Sequence, residues 1–332
     1  MGLLNETRVR VVMNLGQVMK AAGIGLLLVV SLGMAERPPV EQGGRLRVVT
    51  SIPDLANLTS RIGGDLVTVE SLAKGLENPH GVPIKPSFLP KLNQADVLVV
   101  MGLQNEHAWL TALIDVARNP VILPGNPGYI DSSIKISPKQ VPEVLTRQEG
   151  DLHPLGNPHF NLDPVNAKLM AQAISEGLTR VYPAGKPYFE DNLRQFEASI
   201  DSKMGAWQKL AAPLRGIPFV SYHQDTIYFA ERFGLKETGQ IEIRPGIEPT
   251  QRHLAALVEK MKREQVKLVL REPYFSDQLP NWLAEQTGAR VAKFLIMVGG
   301  SPEVKTYEDL IDFNLHSILK AVQGEKESFH EK

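Results

Sequence analysis

The sequence predicts an α/β protein built as two parallel-sheet lobes in series, joined by one long helix. Three observations carry that fold class. Short β-rich runs alternate with amphipathic helical segments between residues 46 and 123, the pattern of strand–helix–strand units around a parallel sheet. The alternation restarts at Pro218 and runs to Val322. Between the two blocks Phe189, Leu193, Phe196, Ile200, Met204, Trp207 and Leu210 recur at spacings of three or four. That single apolar stripe covers about 25 residues, or roughly 37 Å of helix, enough to reach from one lobe to the next.

In chain order, residues 1–35 read as an export signal. Arg8, Arg10 and Lys20 supply the positive segment, Ala21–Val30 is mostly apolar, and Gly33-Met34-Ala35 offers a small-x-small cleavage pattern. The apolar run is shorter than the ~20 residues a membrane span needs. Residues 36–44 form a polar tail, and the first lobe is expected over 45–186. It opens with a strand at Leu46–Thr50 and a helix from Pro53 to Ile62, ended by Gly63-Gly64. A second strand follows at Val67–Leu72, then a short helix capped by Ser87. Val97–Met101 is continuously apolar, as a parallel strand covered on both faces should be. A helix over Glu106–Val116 and a strand at Val121–Leu123 complete the expected alternation. Residues 124–158 are rich in Pro, Gly, Ser and Asn and form the longest weakly structured stretch. Asp163-Pro164 is a helix start: the carboxylate can cap the unpaired amides, and Pro at the first helical position gives up no needed donor.

The connecting helix is expected over 187–211 and the second lobe over 212–324. In that lobe the strands are expected at Pro218–Tyr222, Thr238–Ile243, Lys267–Arg271 and Val291–Leu295. Helices lie between them, and a closing helix over Tyr307–Val322 has Thr306 and Asp309 placed for a capping box. Residues 325–332 are a charged tail.

Bulk composition excludes several classes. The 332 residues carry a formal charge of −1, with 43% apolar and 22% charged residues, which gives no electrostatic footprint for nucleic acid or an anionic membrane. With no cysteine, disulfides, thiolate zinc sites and a lipidated N-terminal Cys have no residue to form on.

The chemistry gathers on His80, His159, His223 and Glu272. His80 follows the strand Val67–Leu72, His223 ends the strand Pro218–Tyr222, and Glu272 ends the strand Lys267–Arg271, where Pro273 stops it. Ligands of open α/β sheets collect at the carboxyl ends of strands, so these three face binding crevices. His159 joins them from the loop His153–Pro164, which is held at a fixed helix entrance. Together the four could bind one divalent metal in the cleft between the lobes. Spacings of 79, 64 and 49 residues fix no two of them on one helical face. His153 is an alternative loop-borne ligand or a solvated side chain. His107, His253 and His316 lie on expected helices, where a surface or core-edge role is the simpler reading.

The chain resembles the substrate-binding proteins of zinc- and manganese-type ABC importers over about residues 45–324. The resemblance rests on Asn78-Pro79-His80 with Lys85-Pro86-Ser87, Asn157–Pro164, Phe219–His223, Pro245–Pro249 and Glu272-Pro273-Tyr274-Phe275. It implies a two-lobed extracytoplasmic carrier in which His80, His159 and His223 are metal ligands. An ABC permease in the inner membrane would be its partner, and the carrier is expected to act as a periplasmic monomer. Many relatives place an Asp in a loop before the final helix. Here that loop reads Leu295–Gly300 without a carboxylate, which leaves Glu272 as fourth ligand. The His-rich loop of some zinc members is absent. Three imidazoles and one carboxylate suit zinc, whereas manganese (Mn2+) prefers more oxygen. The alternatives are a manganese-binding homologue, a secreted zinc hydrolase with Glu272 as general base, and a two-lobed binder of a metal chelate.

Overall fold

The computed structural model describes residues 44–142, 153–243 and 246–324. The export signal expected over residues 1–35, residues 36–43 of the tail, residues 143–152 of the Pro/Gly-rich stretch, Arg244-Pro245 and the charged C-terminal tail lie outside them. Two four-stranded parallel sheets form the frame. In the first, β1 (Leu46–Thr50) is flanked by β2 (Val67–Ser71) and β3 (Val97–Val100), and β3 carries β4 (Tyr129–Asp131) at the edge. The second repeats that order with β5 (Pro218–Ser221) between β6 (Lys236–Gln240) and β7 (Leu268–Arg271), and β8 (Arg290–Lys293) outside β7. Each sheet thus places its first strand internally, and the carboxyl ends of the central strands open on the cleft.

Most expected elements form. The helix α1 (Pro53–Gly63) starts on proline, α4 (Pro164–Val181) is capped by Asp163, whose Oδ1 accepts the Val165 N–H, and α9 (Tyr307–Gln323) carries the full Thr306/Asp309 capping box. Two expectations change. Val121–Leu123 is not a strand: Pro120–Ile122 turns as a 3-10 helix, because Pro120 lacks an N–H for a ladder and Asn119 caps the turn by accepting from Val121 N. The fourth strand instead comes from Tyr129–Asp131, inside the stretch expected to lack structure. The helix expected from Glu106 begins only at Leu110, as α3 (Leu110–Val116). The Glu106 carboxylate is drawn back onto Met101 N (2.7 Å) and Ser51 Oγ (2.5 Å), and Leu103 and Gln104 take left-handed φ of 49° and 64°.

The long helix α5 (Lys186–Ala211) packs on α1 and α4 of the first lobe and on α9 of the second. Arg61 on α1 pairs with Glu308 on α9 at 2.5 Å, and the Trp207 indole donates to Asp312 at 2.7 Å. One apolar core runs through both lobes: Phe160, Phe189, Trp207, Phe229, Phe294 and Tyr307 are all buried within it. A smaller core, with Val220, Ile241 and Val269, sits on the other side of the second sheet. Burying a large apolar side chain is worth about 1.5–3 kcal/mol, so a core shared in this way fixes the lobes against each other far better than a polar hinge contact does.

Where the lobes touch, Gly75 lies against Gly299-Gly300. A Cβ on Gly75 would overlap the Gly299 carbonyl carbon, the Gly300 nitrogen and the Val298 oxygen, all backbone atoms that cannot rotate away. Gly75→Ala should therefore cost about 1–3 kcal/mol through overpacking, read as a lower thermal midpoint. An unchanged midpoint would show that the interlobe contact yields freely.

Candidate metal centre

Two short segments repeat one local device. In Asn78-Pro79-His80 and in Asn157-Pro158-His159 the asparagine Oδ1 accepts the histidine backbone N–H, each at 3.0 Å. Proline fixes the middle residue, and the side-chain bond closes the turn, so both imidazoles leave the backbone in a set direction. The first turn is tied down by the Trp109 indole, which donates to the Pro79 carbonyl at 2.9 Å. The second is tied to the other lobe. Asn157 Nδ2 donates to the Gln224 carbonyl, and the Tyr228 hydroxyl donates to the Asn157 carbonyl. Asp163, besides capping α4, takes both oxygens to the Arg232 guanidinium at 2.6 and 2.8 Å.

These ties bring His80, His159 and His223 together. Among the described residues they form the one group of three or more histidine or acidic side chains whose ligand atoms converge, all within 4.8 Å of one another. His80 Nε2 and His159 Nε2 are 3.0 Å apart. Neighbouring nitrogens of a zinc tetrahedron stand about 3.3 Å apart, given a Zn–N bond of 2.0–2.1 Å, so the observed approach is within a few tenths of what a shared ion needs. The ring centroids are 4.8, 5.5 and 5.5 Å apart, close to the ~5 Å expected for imidazoles on one such ion. A cavity of about 20 Å³ borders His159 and His223, room for one particle the size of a water molecule.

Tautomers are set from behind. The Asn105 carbonyl stands 3.3 Å from His80 Nδ1, and Glu242 Oε2 is 2.7 Å from His223 Nδ1. A proton on each Nδ1 donates to these oxygens and leaves each Nε2 lone pair for a ligand. Burial holds His80 and His159 well below the ordinary imidazole range, and neighbouring imidazoles push the same way.

Glu272 stands apart. It is fully buried, and its carboxylate is not in the converging group. It lies against the equally buried Asp225, and the oxygens of both lack a geometrically complete hydrogen bond among the described residues. Burial raises both, Glu272 to about 7, and the mutual repulsion of two carboxylates in one dry site keeps a proton on the pair. Asp225, two residues beyond His223, is thus committed to Glu272 rather than to orienting the His223 ring. Glu242 does that work. The signal for it was strand register: Ser221 pairs with Gln240, so the residues two further on, His223 and Glu242, emerge side by side.

The sequence profile of the family described as "Zinc-uptake complex component A periplasmic" matches residues 48–321. The chain is 25% identical over 258 residues to the zinc-binding lipoprotein AdcA of Streptococcus pneumoniae, a match covering 74% of this chain and 49% of that protein, so the chain spans about half the length of that relative. It is 26% identical over 255 residues to the high-affinity zinc uptake system protein ZnuA of Yersinia pestis, covering 73% of this chain and 80% of that one. A solved structure of a ZnuA deletion mutant with zinc bound superposes with a TM-score of 0.70 at 27% identity, over 83% of this chain and 98% of the other.

Two outcomes follow from the site. Glu242→Gln keeps the side chain's shape but removes the charge behind His223, so zinc affinity should drop about 10–100-fold, measured by chelator competition. Unchanged affinity would mean that Glu242 does not tune the ring. The second concerns pH. On sequence alone, zinc affinity should fall near and below pH 6.5, where free imidazole protonates. With His80 and His159 held neutral below that point, the unfolded chain takes up protons there that the fold does not. The metal-free fold should therefore keep its stability above about pH 6.5 and lose it as pH falls below, while zinc affinity weakens later. Thermal midpoints and chelator competition across pH 7.5–5 would show the two losses separating; coincident losses would contradict the assignment.

Proposed function

The chain belongs to the zinc-uptake complex component A family, and from that premise we propose that it is an extracytoplasmic solute-binding protein. Its cargo is one zinc ion, which it delivers to an ABC import permease. The observation that carries this reading is the convergence of one ring nitrogen from each of His80, His159 and His223 within 4.8 Å, with an oxygen behind Nδ1 of His80 and of His223. Neutral nitrogen donors in that number select zinc over manganese, which favours oxygen.

His80, His159 and His223 hold the ion in this reading. Glu272 is the proposed fourth ligand: apart from the proton it shares with Asp225, which a cation would displace, its carboxylate has no hydrogen bond to give up among the described residues. The same burial speaks against Glu272 as the base of a hydrolase, since a base must reach substrate and this side chain is 0% exposed. No helix of the described residues is long and apolar enough to cross a membrane. The carrier is proposed to act as a monomer in the periplasm.

Because the ligands come from distant parts of the chain, the ion binds the folded state alone. At 1,000-fold excess over Kd, zinc should stabilise the protein by about 4 kcal/mol, a rise of several degrees in thermal midpoint. His159→Ala, which removes the central ring, should lose most of that rise. A midpoint that zinc leaves unmoved in the wild type would overturn the reading.

A further inference from the structure

The imidazoles do not stop at three. His153 places its ring 4.8 Å from His80, and His107 places its ring edge-on 5.9 Å from His153. His153 is 9% exposed, and its Nδ1 is buried without a hydrogen-bond partner among the described residues. His107 is exposed, and its Nδ1 lies 2.7 Å from the Gln104 carbonyl. That bond fixes the proton on Nδ1 and leaves Nε2 free, the tautomer also set at His80 and His223. Leu103 and Gln104, which present the carbonyl, both have left-handed φ, a conformation that is strained for non-glycine residues. His107 also lines a cavity of about 230 Å³ with Glu106, Asp131 and Tyr129, where β3 and β4 end. Each carboxylate there is anchored through one oxygen, Glu106 Oε1 by Ser51 and Met101, Asp131 Oδ1 by Ser133.

A row of rings therefore runs from exposed His107 through buried His153 to half-buried His80, then to buried His159 and His223. Successive spacings of 5.9, 4.8 and 4.8 Å are each close to the ~5 Å between two imidazoles on one zinc ion. An ion can pass along such a row by gaining the next nitrogen before it gives up the last, without at any stage being stripped of both water and protein ligands. We propose that His107 and His153 form an outer two-imidazole station through which the metal reaches and leaves the three-histidine centre. The station rests on the zinc-carrier reading. Two imidazoles hold zinc weakly and leave the remaining positions to water, so the outer pair passes the ion on rather than trapping it.

A transit station and a ligand of the centre differ in kinetics. A station speeds arrival and departure alike, whereas a ligand mainly slows departure. The test is stopped-flow exchange of zinc ion between the full-length protein and a chromophoric chelator, for wild type and for His107→Ala/His153→Ala. The expected result is one zinc per chain in both, uptake and release each slowed about tenfold in the variant, and a Kd changed less than about threefold. Rates equal to wild type would overturn the station. Faster release with weaker affinity would overturn it too, making His153 a ligand of the centre. A wild type that takes up no zinc would remove the carrier reading and the station together, and is told apart by stoichiometry alone.

Discussion

The structure turns on the 3.0 Å approach of His80 Nε2 to His159 Nε2. Two imidazoles from distant parts of the chain hold that distance only while the pair is not doubly charged, and burial with neighbouring imidazoles disfavours the charge on both. Holding them together takes backbone restraint on each side. The twin Asn-Pro-His turns supply it, one pinned by Trp109 and the other by Gln224 and Tyr228 across the cleft. A cation with two positive charges is the natural occupant of such a point, since it accepts the lone pairs that the protein will not protonate.

That restraint depends in turn on how the lobes are joined. The apolar core continues from the first lobe through Phe160 and Trp207 into Phe229 and Phe294 of the second. A buried polar tie runs through it: Asn161 donates to Asp54 and to the Ile296 carbonyl, Val298 N donates to Asp54, and the Tyr307 hydroxyl donates to the Asn161 carbonyl. Asn161, at the middle of this tie, lies two residues after His159 in the chain. Opening the cleft would break a satisfied buried network and expose a shared core, so the site is preorganised by the fold rather than assembled by free closure of two bodies.

Much of this was legible in the sequence, and the exceptions have physical causes. The run Val97–Val100 could only be a covered parallel strand, and the stripe from Phe189 to Leu210 could only be a long helix. The strand Tyr129–Asp131 was missed because three residues at a sheet edge carry too little periodicity to read. His107 was read as a surface or core-edge residue of a helix because the helix was begun too early; it is exposed, but in a loop. Glu106 is captured by Met101 and Ser51, the chain turns left-handed at 103–104, and His107 ends up in a loop facing His153. At the site, strand ends exposed His80 and His223 as candidates. Glu242 needs the register of two strands and is invisible without it. The pairing of Glu272 with Asp225 depends on side-chain depth, which no spacing encodes.

The central claim, that imidazoles from both halves of the molecule share one ion, is tested most directly by X-ray absorption at the zinc edge on the one-to-one complex. The account predicts three imidazole nitrogens at about 2.0–2.1 Å, with the characteristic multiple scattering of histidine rings and any remaining ligand an oxygen. A shell with one imidazole or none, the rest oxygen, would place the ion elsewhere and contradict it.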